Sequence, residues 1–274
     1  MNLETLQQRA AILRQLHDRS RVLVLANVWD VASALIVEAT GAPALATGSA
    51  GIAAVLGYAD GEQIPRAEML DMVRRIARKV RVPVTADLEG GYGDAGDTVR
   101  AALEAGAVGM NLEDGTRDPA APLVAIAAHA EQLRAARASA VHARVPFVIN
   151  ARTDVYLAQV GAPEDRLAHA LERGRAYFAA GADCFFVPGL RDEAAIRALA
   201  SGLPGPINIL GMPGGPSVPA LAALGVARVS TGPFPMRAAL AMARRAALEL
   251  RDSGTYGFAE GGVAGAEINA LLSR

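Results

Sequence analysis

The chain has 274 residues, 52% of them hydrophobic and 20% charged, with a net charge of −1; that supports a sizeable core and offers no general attraction to nucleic acid or an anionic membrane. No apolar run has the length of a membrane span and the N-terminal segment is charged throughout, so neither anchor nor secretory signal is read. The lone Cys184 excludes an internal disulfide framework, and a cytoplasmic protein is expected.

Short apolar or β-branched runs alternate with longer Ala-rich helical patterns along the chain. A helix over Leu3 to Leu16 comes first and is expected to cover the bottom of a barrel. A strand at Val22 to Ala26 leads to a helix near 30 to 40, and Ala44 to Thr47 leads through a long loop to a helix near 66 to 80. Val82 to Asp87 precedes a helix near 95 to 105, and Gly109 to Glu113 precedes one near 123 to 143. Phe147 to Ala151 is followed by 164 to 180, Cys184 to Val187 by 192 to 200, Ile207 to Leu210 by 217 to 223, and Arg228 to Ser230 by 234 to 250. Eight βα units in roughly 230 residues predict an α/β fold of the (β/α)8 TIM-barrel kind rather than an open sheet. No linker or charge block divides the chain, so residues 1–274 read as a single barrel domain with an N-terminal helix and a C-terminal helical tail.

In such barrels chemistry sits where strands end. The most informative place is the third strand, which runs from Pro83 into Asp87, Glu89 and the glycines Gly90, Gly91 and Gly93. Residues two apart on a strand share a face, so Asp87 and Glu89 are expected to point the same way. Paired carboxylates repel and resist desolvation, so they need a cation, a proton or solvent; a hard divalent metal is the first candidate. The other strand ends supply Asn27 and Asp30, then Thr47, Gly48 and Ser49, then Asn111, Glu113 and Asp114, then Asn150, Arg152 and Asp154, then Asn208, and finally Ser230 and Thr231. Asp60, in the loop after the second strand, is placed to lean over the same mouth, whereas the sixth strand brings nothing ionisable.

Simpler readings stand beside these. Asp87 and Glu89 could cap the next helix, although Asp94 and Asp97 are better placed to do so. Arg152 and Asp154 could form only an ion pair, with Asp154 orienting neighbours rather than touching substrate. The three glycines serve the turn first. Asn27 and Asp30 lean towards helix capping, and Asp114 is equally a cap or a support behind the site. His17, His129, His142 and His169 fall on predicted helices and read as surface or packing residues, and Cys184 reads as core. The loop Gly211 to Pro216 reads as a turn, because its prolines remove donors. Trp29 either faces substrate or packs.

The stretches Leu56 to Asp60, Ala86 to Gly93, Asn111 to Asp114 and Asn150 to Asp154 together resemble the isocitrate lyase and phosphoenolpyruvate mutase superfamily, from roughly residue 20 to 250. The resemblance implies a Mg²⁺ site, which Mn²⁺ could also fill, at Asp87, Glu89 and Glu113, directly or through water. It implies that Asp60 and Arg152 line the substrate and that backbone groups at Thr47, Gly48 and Ser49 bind its carboxylate. Asp60, Arg152 and Glu113 are the expected catalytic residues, with Thr47, Gly48, Ser49, Asp87, Arg152 and Asn208 around the substrate. Such a metal, keeping several waters, would take a bidentate α-keto or α-hydroxy carboxylate and stabilise an enolate, while Arg152 takes a carboxylate in a two-pronged contact.

Departures from the superfamily narrow the expectation. The lyases carry a Lys-Lys-Cys-Gly-His or similar segment after the fourth-strand Glu-Asp; here Gly115 to Pro122 contains no Cys, Lys or His. Gly189 follows Pro188 where the lyases place a Glu for a third carboxylate, and the Lys and Asn of the phosphonate-forming mutases are missing too. The expected function is a Mg²⁺-dependent lyase cleaving a C–C bond in a small keto or hydroxy acid, such as decarboxylation of oxaloacetate. The alternatives are a phosphonomutase, a phosphonopyruvate hydrolase, or a keto-acid-binding protein with little turnover. The superfamily's habit of exchanging its eighth helix between barrels, with the Ala-rich helix Phe234 to Leu250 and the apolar tail Phe258 to Leu272, predicts a homodimer or homotetramer.

Overall fold

The computed structural model describes residues 1–273 and shows a parallel barrel wrapped by helices. In chain order the elements are α1 (Leu3–Gln15), β1 (Leu23–Leu25), β2 (Asn27–Val28), α2 (Val31–Ala39), β3 (Leu45–Thr47), α3 (Ser49–Val55), α4 (Arg66–Lys79), β4 (Val84–Asp87), α5 (Ala95–Ala105) and β5 (Gly109–Glu113). There follow α6 (Ile126–His142), β6 (Val148–Arg152), α7 (Arg166–Ala179), β7 (Cys184–Val187), α8 (Glu193–Gly202), β8 (Ile207–Leu210), α9 (Val218–Ala223), β9 (Arg228–Ser230), α10 (Phe234–Asp252), a 3-10 turn (Gly257–Ala259) and α11 (Gly265–Leu272).

Every strand pair is parallel, in the order β1-β9-β8-β7-β6-β5-β4-β3-β2. The predicted first strand is two pieces separated at Ala26: β1 pairs with β9 and β2 with β3, so the two pieces together close the ring. The third strand starts at Val84 rather than Val82, because Pro83 has no N–H to donate and the amide of Val82 is taken by Glu38 Oε1 at 3.2 Å. The register sets Asp87 beside Asn111, Asn111 beside Asn150, and Glu113 beside Arg152, which stacks the polar strand ends at one rim.

Local signals explain most of the helices. Asp30 caps α2, accepting from Ser33 N at 2.7 Å, and Asp94 caps α5, accepting from Asp97 N at 2.8 Å. Gly106, at φ 95°, ends α5 in the left-handed region that glycine adopts without a Cβ clash. Helix α4 is amphipathic and buries Met69, Leu70, Val73, Ile76 and Ala77 against the barrel, and each full burial of such a large side chain favours folding by roughly 1.5–3 kcal/mol. Helix α1 does cover the bottom: Leu6, Ala10 and Leu13 are buried, and a Cβ on Gly109 would stand 2.9 Å from Leu13 Cδ2.

Three elements differ from the sequence reading. Helix α3 was not predicted, since its small residues carry no helical period. The tail 265–272 is helical and lies on α2 of its own chain, where Leu271 is buried and the Leu272 carbonyl accepts from Lys79 Nζ at 2.8 Å. Helix α10 behaves in the opposite way: Met236 is its one buried residue, while Leu240, Met242, Leu248 and Leu250 are exposed. Among the described residues no helix is long and apolar enough to cross a membrane.

Candidate active site at the C-terminal mouth of the barrel

A cavity of about 300 Å³ opens at the C-terminal ends of the strands. One half of its wall is polar and comes from β2 to β5 and their loops: Asn27, Gly48, Ser49, Asp60, Asp87 and Asn111. The other half is apolar and comes from β6 to α10: Leu157, Phe186, Pro188, Leu210, Met212 and Phe234. Arg152 stands at the end of β6, Ser230 at the end of β9, and Arg237 on the first turns of α10.

Asp87 is fixed at both oxygens. Its Oδ2 accepts from Ser49 N at 3.1 Å and Ser49 Oγ at 2.8 Å, and its Oδ1 accepts from Asn111 Nδ2 at 3.2 Å. Asn111 in turn accepts from Asn150 Nδ2 at 2.7 Å, so a chain of amides holds the carboxylate from below. Beneath it lies the fully buried Arg228, whose Nη1 stands 3.4 Å from His17 Nε2. Burial and the nearby Arg228 charge push His17 down to about 4.

Glu89 corrects the expectation of a shared strand face. The strand stops at Asp87, and Glu89 follows in a left-handed conformation at φ 51°, a strained region for a residue with a Cβ. Its buried carboxylate turns away from the cavity wall and accepts from Glu62 N at 2.5 Å and from Arg117 Nη2 at 2.9 Å. Burial, with the charges of Asp87 and Asp60 adding to it, raises Glu89 to about 7 against the pull of the Glu62 amide and Arg117. Arg117 also donates to the Asp60 carbonyl at 3.0 Å, passing through the space that a Cβ on Gly61 would fill. The segment without Cys, Lys or His thus brings a guanidinium to the site, which the sequence reading did not foresee.

Arg152 is more heavily engaged than a free carboxylate clamp. Its Nε and Nη2 donate to Asp154 at 2.6 and 2.9 Å, and its Nη1 stands 2.6 Å from Glu113 Oε2. The Nε edge of the fork is therefore spent on Asp154, and a substrate can meet only the remaining Nη hydrogens, a correction to the two-pronged contact through the whole fork. Asp154 does orient its neighbour, as expected. Arg152 stays charged among these acids, whereas Glu113 is raised well above the usual carboxylate range by burial, with Asp154, Asp87 and Glu89 adding to that and Arg152 opposing it. Behind the pair, Asp114 is wholly buried and accepts from Asp154 N at 2.9 Å, Arg173 Nη1 at 2.8 Å and Tyr177 Oη at 2.6 Å. It is a support and not a cap.

The backbone at 47–49 departs from the expected carboxylate cradle. Gly48 N donates to the Val28 carbonyl at 3.0 Å and Ser49 N to Asp87, so both amides are taken. Thr47 is fully buried, its Oγ1 accepting from Asp87 N at 3.0 Å, and does not reach the wall. Asn208 also lies below the wall, donating to Ser230 Oγ at 3.1 Å. Asn27 is no cap: its Nδ2 donates to the Thr47 carbonyl at 2.8 Å and its Oδ1 accepts from Thr231 N and Gly232 N, which clips the ring shut. His17 lies in the turn after α1 rather than on it, His129 is buried against Tyr177 with a ring separation of 4.7 Å, and Cys184 is core. Trp29 packs against the core rather than lining the cavity.

The donor set has the chemistry of a cation site. Asp87 raises both Glu89 and Glu113, Glu89 adds to the rise at Glu113, and Glu113 Oε2 is buried with no donor aligned on it despite the nearby guanidinium. Among the described residues no three acidic, His or Cys side chains converge closely enough to ligate one ion by themselves. An ion held by one or two carboxylates and otherwise by water is the habit of Mg²⁺, so the residues fit it.

Asn27, Asn111, Arg117 and Arg237 are the site residues that sequence reasoning left out of its assignments. Asn111 and Asn27 carried a signal in their place at strand ends. Arg117 and Arg237 carried none.

Known proteins are similar to this chain in sequence, and two solved structures are similar in fold. A protein of Burkholderia cenocepacia J2315, described provisionally as a lyase/mutase, is 38% identical with a TM-score of 0.91 over 99% of this chain and 98% of its own. An oxaloacetate decarboxylase of Rhodopseudomonas palustris (strain BisB18) is 32% identical over 228 residues, 78% of this chain and 73% of the relative. A phosphonopyruvate hydrolase solved with oxalate and Mg²⁺ is 26% identical with a TM-score of 0.81, over 97% of this chain and 95% of that one. With the model of the phosphoenolpyruvate phosphomutase family matching residues 13–251, the chain belongs to that family.

Proposed function

We propose that this chain is a lyase that cleaves a C–C bond in a small α-keto or α-hydroxy carboxylate, with decarboxylation of oxaloacetate as the reaction that needs the fewest groups. The observation that carries the reading is the wall itself: Asp87 fixed at both oxygens beside Arg152, with no Lys, His or Cys among the lining residues. CO2 departs without a proton donor, so decarboxylation asks less of this wall than an aldol-type cleavage, which needs a base at the hydroxyl. The named activity of the Rhodopseudomonas relative supports the same reading.

Asp87, with Glu89 and Glu113 directly or through water, would hold a Mg²⁺ ion, which would supply positive charge where negative charge develops on the substrate. The Nη edge of Arg152 binds the substrate carboxylate next to Asp87, and Asp154 keeps that edge aimed at the cavity. Ser49 and Asn111 hold Asp87 in one rotamer, so it does not reorganise as charge develops. Asp60, exposed at the rim, is the side chain placed to pass a proton from solvent to the enolate carbon. Residues 1–273 act as one domain in this reading. The exposed apolar side chains of α10 meet those of a second copy in a homodimer or homotetramer.

Steady-state assay of oxaloacetate with Mg²⁺ tests the reading, through pyruvate formed above the metal-catalysed background. Thermal stabilisation by oxaloacetate without product would instead make the chain a keto-acid-binding protein. Phosphate released from phosphonopyruvate, with oxaloacetate inert, would move the chemistry to the P–C bond.

A further inference from the structure

Barrel interiors are ordinarily filled by layers of branched apolar side chains, and this one also encloses a cation. Arg228 lies on β9 two residues before Ser230, which lines the cavity, so by strand alternation it points into the barrel one layer lower. It is 1% exposed. Among the described residues its guanidinium has no carboxylate partner: Nη1 stands 3.4 Å from His17 Nε2, Nη2 reaches Asn111 Oδ1 at 3.5 Å, and Nε has no partner at all. His17 Nδ1 stands 2.8 Å from the Leu13 carbonyl and so carries the ring proton, which leaves Nε2 to offer Arg228 a lone pair and no charge.

Arginine does not relieve its burial by giving up a proton, so a buried one needs negative charge close by. Burial pulls the Arg228 guanidinium down from its ordinary value, opposed by Cys184 and Asp87. Cys184 is itself pushed up to about 12 by burial and is uncharged, which leaves Asp87 as the anion that offsets Arg228. One amide joins the two: Asn111 Oδ1 accepts from Arg228 and Asn150 below, which turns its Nδ2 up to Asp87 Oδ1 at 3.2 Å. From this placement we infer that Arg228 is a positioning residue for the mouth, a counter-charge sealed from solvent that lets Asp87, Glu89 and Glu113 stand together without a metal and weakens their hold on a divalent cation. The inference rests on the reading of those carboxylates as a Mg²⁺ site. Its consequence is a site that takes Mg²⁺ loosely on its own, because the attraction of the carboxylates is partly cancelled from within the barrel, so that an anionic substrate completes the charge balance.

Calorimetric titration of the full chain with Mg²⁺ alone tests this. Arg228→Met removes the charge and keeps the apolar stem, and its Mg²⁺ affinity is expected to rise about tenfold, a fraction of the interaction between a unit and a divalent charge at an effective dielectric of about 20. The sign discriminates, because loss of a merely structural contact loosens Asn111 and Asp87 and lowers the affinity. Arg228→Gln keeps a donor for Asn111 without the charge and should show the same rise; it also serves if the Met variant does not fold. Mg²⁺ should raise the melting temperature of either variant more than that of the wild type at equal concentration, since tighter binding stabilises more. Unchanged or lower Mg²⁺ affinity in the folded variants overturns the inference while the metal reading stands. Failure of both variants to fold makes Arg228 a requirement of the fold and overturns the inference as well. A wild-type chain that does not bind Mg²⁺ ends the metal reading and the inference with it.

Discussion

Replacing Asp114 by Asn separates the support of the site from the site itself. Asp114 is wholly buried, and its carboxylate accepts from Arg173, from Tyr177 and from the amide of Asp154. An amide of the same shape presents a donor where it must accept, either at the Arg173 and Tyr177 side or at Asp154 N. Arg173 then keeps only the Val124 carbonyl and the Tyr177 oxygen and is left as an uncompensated charge. Breaking one partner of a buried pair costs about 3–5 kcal/mol, and because the Arg173 side chain retains 12% exposure the lower end applies, about 3 kcal/mol. For a chain of this size that is a fall in Tm of roughly 6–12 °C. If the amide instead turns its donor to Asp154 N, Asp154 loses its anchor, Arg152 is held less firmly and kcat/KM falls with KM rising. Urea denaturation measures the first effect and steady-state kinetics the second. A stability loss under about 1 kcal/mol would refute the reasoning, since no arrangement of the amide satisfies all three donors.

Asp87→Ala is expected to abolish the Mg²⁺ dependence of oxalate binding in calorimetry while the far-UV spectrum is retained; undiminished metal affinity would remove Asp87 from the ligand set. Isocitrate and methylisocitrate are expected to turn over below about 1 s⁻¹, the low end of ordinary enzymes, because the cavity wall has no thiol and Gly189 offers no side chain. Stability is expected to fall as pH drops from 6.5 towards 4: His17 stays neutral in the folded state down to about 4 while the unfolded chain takes up its proton from 6.5. The loss per unit pH is about 1.4 kcal/mol for this residue across that window, and an equal slope in His17→Gln would exclude it as a source. Light scattering is expected to give a dimer or larger, with Leu240→Glu combined with Leu248→Glu on α10 shifting it to monomer; a wild-type monomer at micromolar concentration would end the oligomer proposal.

What the sequence determined by itself was the alternation of strand and helix and the list of strand ends. The strands β5, β7, β8 and β9 and the helix α5 have the predicted bounds, because buried parallel strands read as short apolar runs and Asp94 and Gly106 mark their helix locally. The likeness of Asp87, Glu89, Glu113 and Arg152 to a known superfamily was legible for the same reason: all four lie at or just past strand ends, where the barrel brings loops together. Only the tertiary structure decided how those groups are shared. It turned Glu89 out of the strand's alternation and gave it to Arg117, spent the Ser49 amide on Asp87, and drew Arg152 towards Glu113 and Asp154. It also set Arg237 at the edge of the apolar wall and left α10 with one buried residue. Apart from Arg152 and Asp154, which lie two positions apart, these contacts join residues dozens of positions apart through loops and helix ends, where no period constrains a side chain, so their partners are fixed by which strands are neighbours in the closed ring rather than by which residues are neighbours in the chain.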